Sequence, residues 1–197
     1  MNRTLTQISH ETVAASLGGD SFLYALDATL GRGRDALFAA SMLAEGGKVF
    51  GFDIQGDAVS ESERLFAENG LSRKASFFHA GHESMLEFLP PECIGKISCA
   101  FFNLGWLPCS DKKISTSPAS TLRALEAVLK VLDMSRAVLS VLSYRGHDGG
   151  AQEYAEVSRF FRENLAGRFE TFGDEANAAS PILFAARFGK CARACAQ

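Results

Sequence analysis

Short apolar runs alternate along the chain with longer segments in which apolar residues recur at helical spacing. Strands are predicted at 22–27, 48–53, 75–79, 97–102 and 137–142, and helices at 3–17, 34–45, 57–68, 82–89, 118–132 and 150–165. The runs 97–102 and 137–142 contain only apolar or small residues, which is typical of strands covered on both faces. The alternation predicts an α/β fold, a parallel sheet with helices on both faces.

The end of the chain breaks this alternation. Two further strands are predicted at 168–173 and 181–188 with no helix between them, so they should form an antiparallel hairpin at one edge. The complete prediction is a mostly parallel seven-stranded sheet. No internal repeat, Pro-rich linker or charge block marks a boundary, and we expect one domain over 1–197, with an N-terminal helix within 1–20 and a loose tail at 190–197.

Composition narrows the function classes. Hydrophobic residues make up 47% of the 197 residues and charged residues 22%, which excludes a disordered chain. The net charge of −3 argues against a general nucleic-acid coating protein but allows a local basic patch. The sequence has no apolar run of transmembrane length and no signal-peptide pattern, and its five cysteines lack metal-site spacing. We therefore expect a cytoplasmic protein with reduced thiols, no bound metal and no membrane partner.

The polar residues concentrate where the predicted strands end. Polar, glycine-containing segments follow the five parallel strands at 27–35, 53–57, 79–83, 103–113 and 143–149. In an open parallel sheet, ligands bind outside the carboxyl ends of the strands. Glycines after the first strand allow the backbone to approach a ligand closely, and acids that end two neighbouring strands suit the hydroxyls of a nucleoside.

The glycine turn after the first strand fits two nucleoside cofactors. Gly31-x-Gly33-x-x-Ala36 satisfies the dinucleotide fingerprint, and Asp53 follows Gly33 at the expected spacing. Two details argue against NAD. Asp27 ends the strand four residues before the first glycine, and charged residues crowd the start of the next helix, where a pyrophosphate needs close amides. An NAD-dependent oxidoreductase stays a lower alternative.

Asp27-x-Thr29-x-Gly31-x-Gly33 resembles motif I of the class I S-adenosylmethionine (SAM)-dependent methyltransferases, which have a Rossmann-like fold. The resemblance implies that Asp27 and the turn hold the methionine end of SAM, and that Asp53 binds the ribose hydroxyls. It implies these cofactor-binding residues: Asp27, Thr29, Gly31, Gly33, Asp35, Asp53, Gln55, His82, Glu83 and Asn103. From the residues alone, Asp27 could instead be a turn or helix-cap residue, and Glu83 could belong to a helix N-terminus.

A second resemblance is more specific. Asn103-Leu104-Gly105-Trp106-Leu107-Pro108 with Asp111-Lys112-Lys113 is similar to the Asn-Leu-Gly-Tyr-Leu-Pro-Gly-Gly-Asp-Lys motif of a small bacterial family of rRNA methylases. The segments 81–83 and 144–150 are similar to two other motifs of the same family. That family is associated with methylation of 5-aminomethyl-2-thiouridine at the tRNA wobble position, which implies tRNA as the partner.

The sequence departs from the motifs of this family at three places. Trp106 replaces Tyr, Cys109-Ser110 replaces Gly-Gly, and Arg145 replaces Pro. Tryptophan keeps a stacking face but lacks the phenol hydroxyl. A methyltransferase for another nitrogen, in rRNA or in a small molecule, is therefore an alternative, as is a non-catalytic RNA-binding module on the same fold.

The resemblance and the residue types together suggest roles. Asn103, His147 and Trp106 are the predicted catalytic residues, and Trp106, Asp111, Lys112 and Arg145 the predicted substrate-binding residues. An aminomethyl nitrogen must lose a proton to act as a nucleophile, and His147, in a glycine-rich segment, is the candidate acceptor. Asn103 would meet the amine or the uracil edge, although it could also cap the end of its strand. A homodimer is possible, and His10 has no assigned role.

Overall fold

The computed structural model describes residues 3–105 and 116–189. The strands are β1 (Phe22–Asp27), β2 (Leu43–Asp53), β3 (Ala75–His79), β4 (Ile97–Leu104), β5 (Val138–Ser143), β6 (Phe169–Phe172) and β7 (Ile182–Arg187). The helices are α1 (Leu5–Leu17), α2 (Arg34–Met42), α3 (Gly56–Glu68), α4 (Met85–Phe88), α5 (Pro118–Val131) and α6 (Gly150–Asn164). Short 3₁₀ turns occupy 72–74, 82–84 and 91–93.

The seven strands form one sheet in the order β3-β2-β1-β4-β5-β7-β6. Strands β1 to β5 pair in parallel, whereas β7 is antiparallel to both β5 and β6. This confirms the predicted mostly parallel sheet with an antiparallel pair at one edge. The last strand along the chain, β7, lies between β5 and β6, and β6 forms the edge of the sheet.

One predicted helix is too long. The sequence analysis extended it over 34–45, but α2 ends at Met42 and the chain enters β2 at Leu43. Leu43 is buried and pairs with Phe22, so tertiary packing overrides the local helical pattern. Gly46 then takes a left-handed φ of 75°, and the register shifts before Tyr24 pairs with Lys48.

Two apolar layers explain the uninterrupted hydrophobic strands. One face of the sheet packs against α1, α2 and α3, and the other packs against α4, α5 and α6. In β4, Cys99 and Phe101 face the first layer, while Ala100 and Phe102 face the second. Within the described part of the chain, no helix is long and apolar enough to span a membrane.

The parallel register brings the polar strand ends together. Asp27 pairs with Gly51 of β2 and with Phe101 of β4, while Asp53 pairs with His79 of β3. Asn103 therefore lies just beyond the level of Asp27, at the same edge of the sheet. This is the edge at which the sequence predicts a ligand site.

Candidate active site

Asp27 organises the glycine turn from beneath. Its Oδ1 accepts a hydrogen bond from the Thr29 amide at 3.3 Å and its Oδ2 accepts one from the Ala36 amide at 3.1 Å. The side chain is buried, and burial together with the neighbouring Asp35 carboxylate raises its pKa well above the ordinary value. Asp27 thus fixes both ends of the segment that leads into α2.

The two glycines adopt backbone conformations that other residues rarely take. Gly31 has a φ of 50° and Gly33 one of 70°. A Cβ at position 33 would lie 2.8 Å from Ser62 Oγ, and that hydroxyl donates to the Gly31 carbonyl at 3.1 Å. The turn is therefore packed closely against α3, and its shape depends on glycine at position 33.

Asp53 joins this turn to the next one. Its Oδ2 accepts a hydrogen bond from the Gly31 amide at 2.8 Å, and its Oδ1 accepts one from the Gln55 amide at 2.9 Å. The side chain is half-buried. A carboxylate has about four lone-pair sites, so two amide donors leave it able to accept from vicinal hydroxyls. The Gln55 contact comes from its backbone N–H, so any residue except proline could supply it.

A polar network of four side chains, those of His10, Thr29, Asp35 and Asn103, connects α1, α2 and the ends of β1 and β4. Asp35, in the first turn of α2, accepts hydrogen bonds from His10 Nε2 at 2.5 Å and from Asn103 Nδ2. The backbone N–H of Asn103 donates to Thr29 Oγ1 at 2.6 Å. Because Nδ2 donates to Asp35, the acceptor atom that Asn103 can offer a ligand is Oδ1.

Gly105 and Thr116, the described residues on either side of 106–115, are hydrogen-bonded to each other. Gly105 N donates to Thr116 Oγ1 at 2.9 Å, and Thr116 N donates to the Gly105 carbonyl at 3.1 Å. The Thr116 hydroxyl donates in turn to Glu153 Oε2 at 2.8 Å, and Thr121 Oγ1 donates to the other oxygen at 2.6 Å. Glu153 is only 1% exposed, so α6 anchors this end of the site through a buried carboxylate.

His147 lies against the same glycine. Its Nδ1 donates to the Asp148 carbonyl at 2.8 Å, which assigns the proton of the neutral ring to Nδ1 and makes Nε2 the basic nitrogen. A Cβ at Gly105 would lie 3.4 Å from Nε2, and one at Gly150 would lie 2.8 Å from it. The structure therefore brings His147 next to Gly105, within the predicted substrate region.

The Arg145 side chain is held by hydrogen bonds within the protein. Its Nε donates to the Ser180 carbonyl at 2.7 Å, and its NH2 donates to the carbonyls of Asp174 and Asn177 at 2.8 and 2.7 Å. The guanidinium carbon also lies 4.8 Å from the centre of the Tyr154 ring. Arg145 thus stabilises the connection between β6 and β7, and contact with a substrate would require breaking these bonds.

The segment after β3 contributes one buried and one partly exposed group. His82 is buried, with its ring 5.9 Å from that of Phe102, and burial lowers its pKa. Glu83 lies close over Gly81 and is 3.7 Å from an Arg123 nitrogen. His82 therefore supports the site from below, while Glu83 lies nearer its surface.

Three predicted residues, Trp106, Asp111 and Lys112, lie outside the described residues, and their roles stay predictions. Within residues 3–105 and 116–189, no cluster of His, Cys, Asp and Glu side chains could hold a metal ion. Cys93 and Cys99 are buried free thiols, and burial raises the pKa of Cys93 to about 11, which disfavours its reactive thiolate form.

Comparison with known proteins now tests the family resemblance. The model of a family described as "Putative rRNA methylase" matches residues 49–176. The chain belongs to this methylase family. The match begins after the glycine turn and includes Asp53, Asn103, His147 and Glu153. It confirms the predicted family and the enzyme class, a SAM-dependent methyltransferase.

Individual relatives agree with this membership. A protein named "tRNA (mnm(5)s(2)U34)-methyltransferase, chloroplastic", from Arabidopsis thaliana, is 33% identical over 143 residues, which are 68% of this chain and 51% of the relative. The chain thus spans about half the length of that curated relative. A Clostridium thermocellum structure described as an rRNA methylase has a TM-score of 0.80 at 28% identity, covering 95% of this chain and 99% of that one.

A third relative was solved with a ligand. The Streptococcus mutans methyltransferase, in complex with S-adenosylhomocysteine (SAH), has a TM-score of 0.76 at 26% identity, covering 95% of this chain and all of the other. These likenesses confirm the predicted class I methyltransferase fold and SAM as the cofactor of the class.

Sequence reasoning missed two groups in this region. His10 was given no role, although it donates to Asp35, and Glu153 was not singled out, although both of its oxygens accept threonine hydroxyls. A carboxylate in the first turn of a helix ordinarily suits the helix dipole, so Glu153 gave no distinctive signal. His10 is 25 residues from its partner, and only the packing of α1 brings the two together.

Proposed function

We propose that this protein transfers a methyl group from SAM to the nitrogen of a 5-aminomethyl-2-thiouridine at the wobble position of tRNA. One observation carries the proposal. The Asn103 side-chain amide, at the end of β4, donates to Asp35 just after the glycine turn. That turn is bonded to Asp53, so a group able to meet a substrate nitrogen lies next to the proposed nucleoside site. The chloroplastic relative named for a wobble-uridine reaction supports this substrate.

The residues present fit SAM. Asp53 offers acceptor capacity for two ribose hydroxyls, while the Gly31–Gly33 turn lets the backbone approach the ligand. Asp27, Thr29 and Asp35 would shape the methionine end, and His82 and Glu83 the adenine side. When bound, SAM supplies an electrophilic methyl carbon on a sulfonium, so the C–S bond breaks as the N–C bond forms and SAH leaves with the electron pair.

Asn103 would align the nucleophile. A neutral amine donates through its N–H bonds, and Asn103 Oδ1 is the side-chain atom able to accept from it. One such hydrogen bond orients the nitrogen lone pair away from the amide, toward the methyl carbon. Alignment of this kind is the main contribution a protein makes to an in-line transfer, because the cofactor provides the reactivity.

The amine must reach the site without its proton. We propose His147 Nε2 as the acceptor, since the Asp148 carbonyl keeps the ring proton on Nδ1. The nitrogen packs against the glycine backbone at positions 105 and 150, so proton transfer requires the ring to turn toward the substrate. Trp106 would stack on the base, and Asp111 and Lys112 would contact the nucleotide around it.

The cofactor is tested by ligand binding. Thermal shifts with SAH and with NAD should show stabilisation by SAH alone, because a ligand that binds only the folded state raises the melting temperature, and the rise grows as the ligand concentration exceeds the Kd. Stabilisation by NAD alone would refute the methyltransferase proposal and favour an oxidoreductase.

The substrate is tested by mass spectrometry of wobble nucleosides. In a deletion strain, 5-aminomethyl-2-thiouridine should accumulate at the expense of its methylated product, and the purified protein with SAM should restore that product on the strain's own tRNA. If the tRNA nucleosides are unchanged and a methylated rRNA nucleoside is missing, the wobble assignment is wrong and the rRNA alternative is correct.

The role of His147 is tested by comparing turnover with cofactor binding. We expect His147→Ala to lower kcat by about 100-fold while the Kd for SAH changes by less than about twofold, as for loss of a proton acceptor. His79→Ala is a matched control, because His79 is the last residue of β3, bonds to the Ile54 carbonyl at 3.0 Å and is separated from β4 and Asn103 by β2 and β1. An equal loss of turnover and of SAH binding would contradict the role.

A further inference from the structure

His10 reaches the candidate site from an element outside the strand-end turns. Helix α1 lies against β5 and β7, where Ser9 Oγ and Ser140 Oγ are 2.6 Å apart and Arg187 Nε donates to Ser16 Oγ at 3.0 Å. These bonds fix the helix on the sheet independently of His10. The histidine side chain is 24% exposed and points at the first turn of α2.

The imidazole ring is held in one orientation. It stacks on Phe38 with 3.9 Å between ring centroids and 3° between planes, and it meets Phe101 edge-on at 6.0 Å. In this orientation Nε2 donates to Asp35 Oδ1 at 2.5 Å. Asp35 is buried, so a carboxylate there needs its hydrogen-bond donors to offset lost hydration.

The second oxygen of Asp35 carries this constraint to the active site. Asp35 Oδ2 accepts from Asn103 Nδ2, and the backbone amide of Asn103 is bound to Thr29. The Asn103 side chain can rotate and exchange the positions of its oxygen and nitrogen, whereas the Asp35 carboxylate has no donor and so pairs only with the NH2 end of the amide. Asp35 therefore selects the amide orientation of Asn103, and His10 selects the position of Asp35.

We propose that His10 is a positioning residue for the methyl acceptor, acting through Asp35 on the Asn103 amide. This inference rests on the proposed function, because it gives the orientation of Asn103 a purpose in aligning a substrate nitrogen. His10 does not touch the substrate, and its loss should affect alignment more than binding.

Two substitutions separate the hydrogen bond from the packing. His10→Phe keeps a ring to stack on Phe38 but removes the donor, whereas His10→Gln keeps an N–H donor of similar reach. We expect His10→Phe to lower kcat for tRNA methylation by about tenfold, with the KM for tRNA and the Kd for SAH within about twofold of the original values. His10→Gln should retain at least about half of kcat.

The exposed neighbour Glu11→Gln is the control for changes on α1, and its kcat should not change. Unchanged kcat in His10→Phe would overturn the proposal, as would an equal loss in the Phe and Gln variants. A fall in SAH affinity that matches the fall in kcat would also overturn it, since that pattern indicates a general distortion of the turn.

A measurement without substrate separates this inference from the proposed function. The side-chain amide resonance of Asn103, assigned by its loss in Asn103→Ala, should shift in His10→Phe and stay nearly in place in His10→Gln. If the original protein fails to methylate the tRNA, the proposed function is wrong and the resonance alone decides whether His10 positions Asn103. An unmoved resonance in His10→Phe overturns the positioning.

Discussion

The two halves of the candidate site are built differently. In the half proposed to bind the cofactor, the turns after β1 and β2 are held largely by backbone amides that donate to Asp27 and Asp53. In the half proposed to bind the substrate, around the ends of β4 and β5, the fixed groups are held by side chains from distant elements, such as Glu153 on Thr116 and Asp35 on Asn103. Turns held by their own backbone suit a cofactor whose shape is constant. A site held by side chains from distant elements can change by single substitutions, which suits a substrate that varies.

This difference implies different consequences of mutation. Loss of a group in the cofactor half should affect SAH affinity, because we propose that the turn itself is the binding surface. Loss of a group in the substrate half should affect turnover or stability and leave SAH affinity nearly unchanged. Four substitutions follow, beginning with the largest expected effect: two test this contrast through SAH affinity, and two measure how the turn of the cofactor half is held.

Asp53→Ala should weaken SAH binding by at least about 100-fold, because two charge-assisted hydrogen bonds of roughly 1.5–3 kcal/mol each would be lost. Isothermal titration calorimetry measures the change. Asp57→Ala, an exposed acid in the first turn of α3, is the control and should bind SAH nearly as before. Equal affinities for the two variants would show that Asp53 is only a support for the turn.

Glu153→Ala should lower the free energy of unfolding by roughly 2–3 kcal/mol, because two threonine hydroxyls lose their buried acceptor. Turnover should fall as well, while the Kd for SAH stays unchanged. Urea unfolding and calorimetry give the two quantities. Glu156→Ala removes a more exposed acid paired with Arg159 on the same helix, and it should cost only a few tenths of a kcal/mol. A loss of SAH affinity in Glu153→Ala would contradict the separation of the two halves.

Gly33→Ala should destabilise the protein more than Gly70→Ala. Both glycines have a φ near 70°, at which an alanine costs about 1–2 kcal/mol. Only at position 33 would the new Cβ meet Ser62 Oγ at 2.8 Å, whereas nothing lies within 4 Å at position 70. The difference between the two free energies of unfolding, about 1–2 kcal/mol, measures the close packing of the turn. Equal losses of unfolding free energy in the two variants would mean that α3 shifts to accommodate the methyl group without further cost.

Asp27→Asn should change the pH dependence of stability. Burial raises the pKa of Asp27 above its ordinary value of 3.8, so its contribution is complete below that value and is lost as the pH rises through the folded-state pKa. The melting temperature of the variant, relative to the original protein, should therefore rise as the pH increases from 3.8 toward the folded-state pKa. Exposed Asp20→Asn is the control. A constant difference across that range would show that Asp27 does not titrate there.

The contrast between the halves also explains how far sequence reasoning reached. Asp27, Gly31 and Asp53 could be recognised from the sequence because the strands, acids and glycines that form the pattern are neighbours in the chain or lie one βα unit apart. The contacts found for Arg145 and His10 were not predicted. Arg145 bonds to carbonyls at 174, 177 and 180, and such partners leave no side-chain pattern that could be recognised.

The sequence alone determined the α/β class, the antiparallel pair at the sheet edge and the glycine turn, because each follows from apolar periodicity or from backbone conformations only glycine adopts. Tertiary structure decided where α2 ends, since Leu43 gains more from burial beside Phe22 than from another helical turn. It also decided which side chains meet Asn103, because hydrogen bonds between elements 25 to 68 residues apart depend on how the helices pack on the sheet.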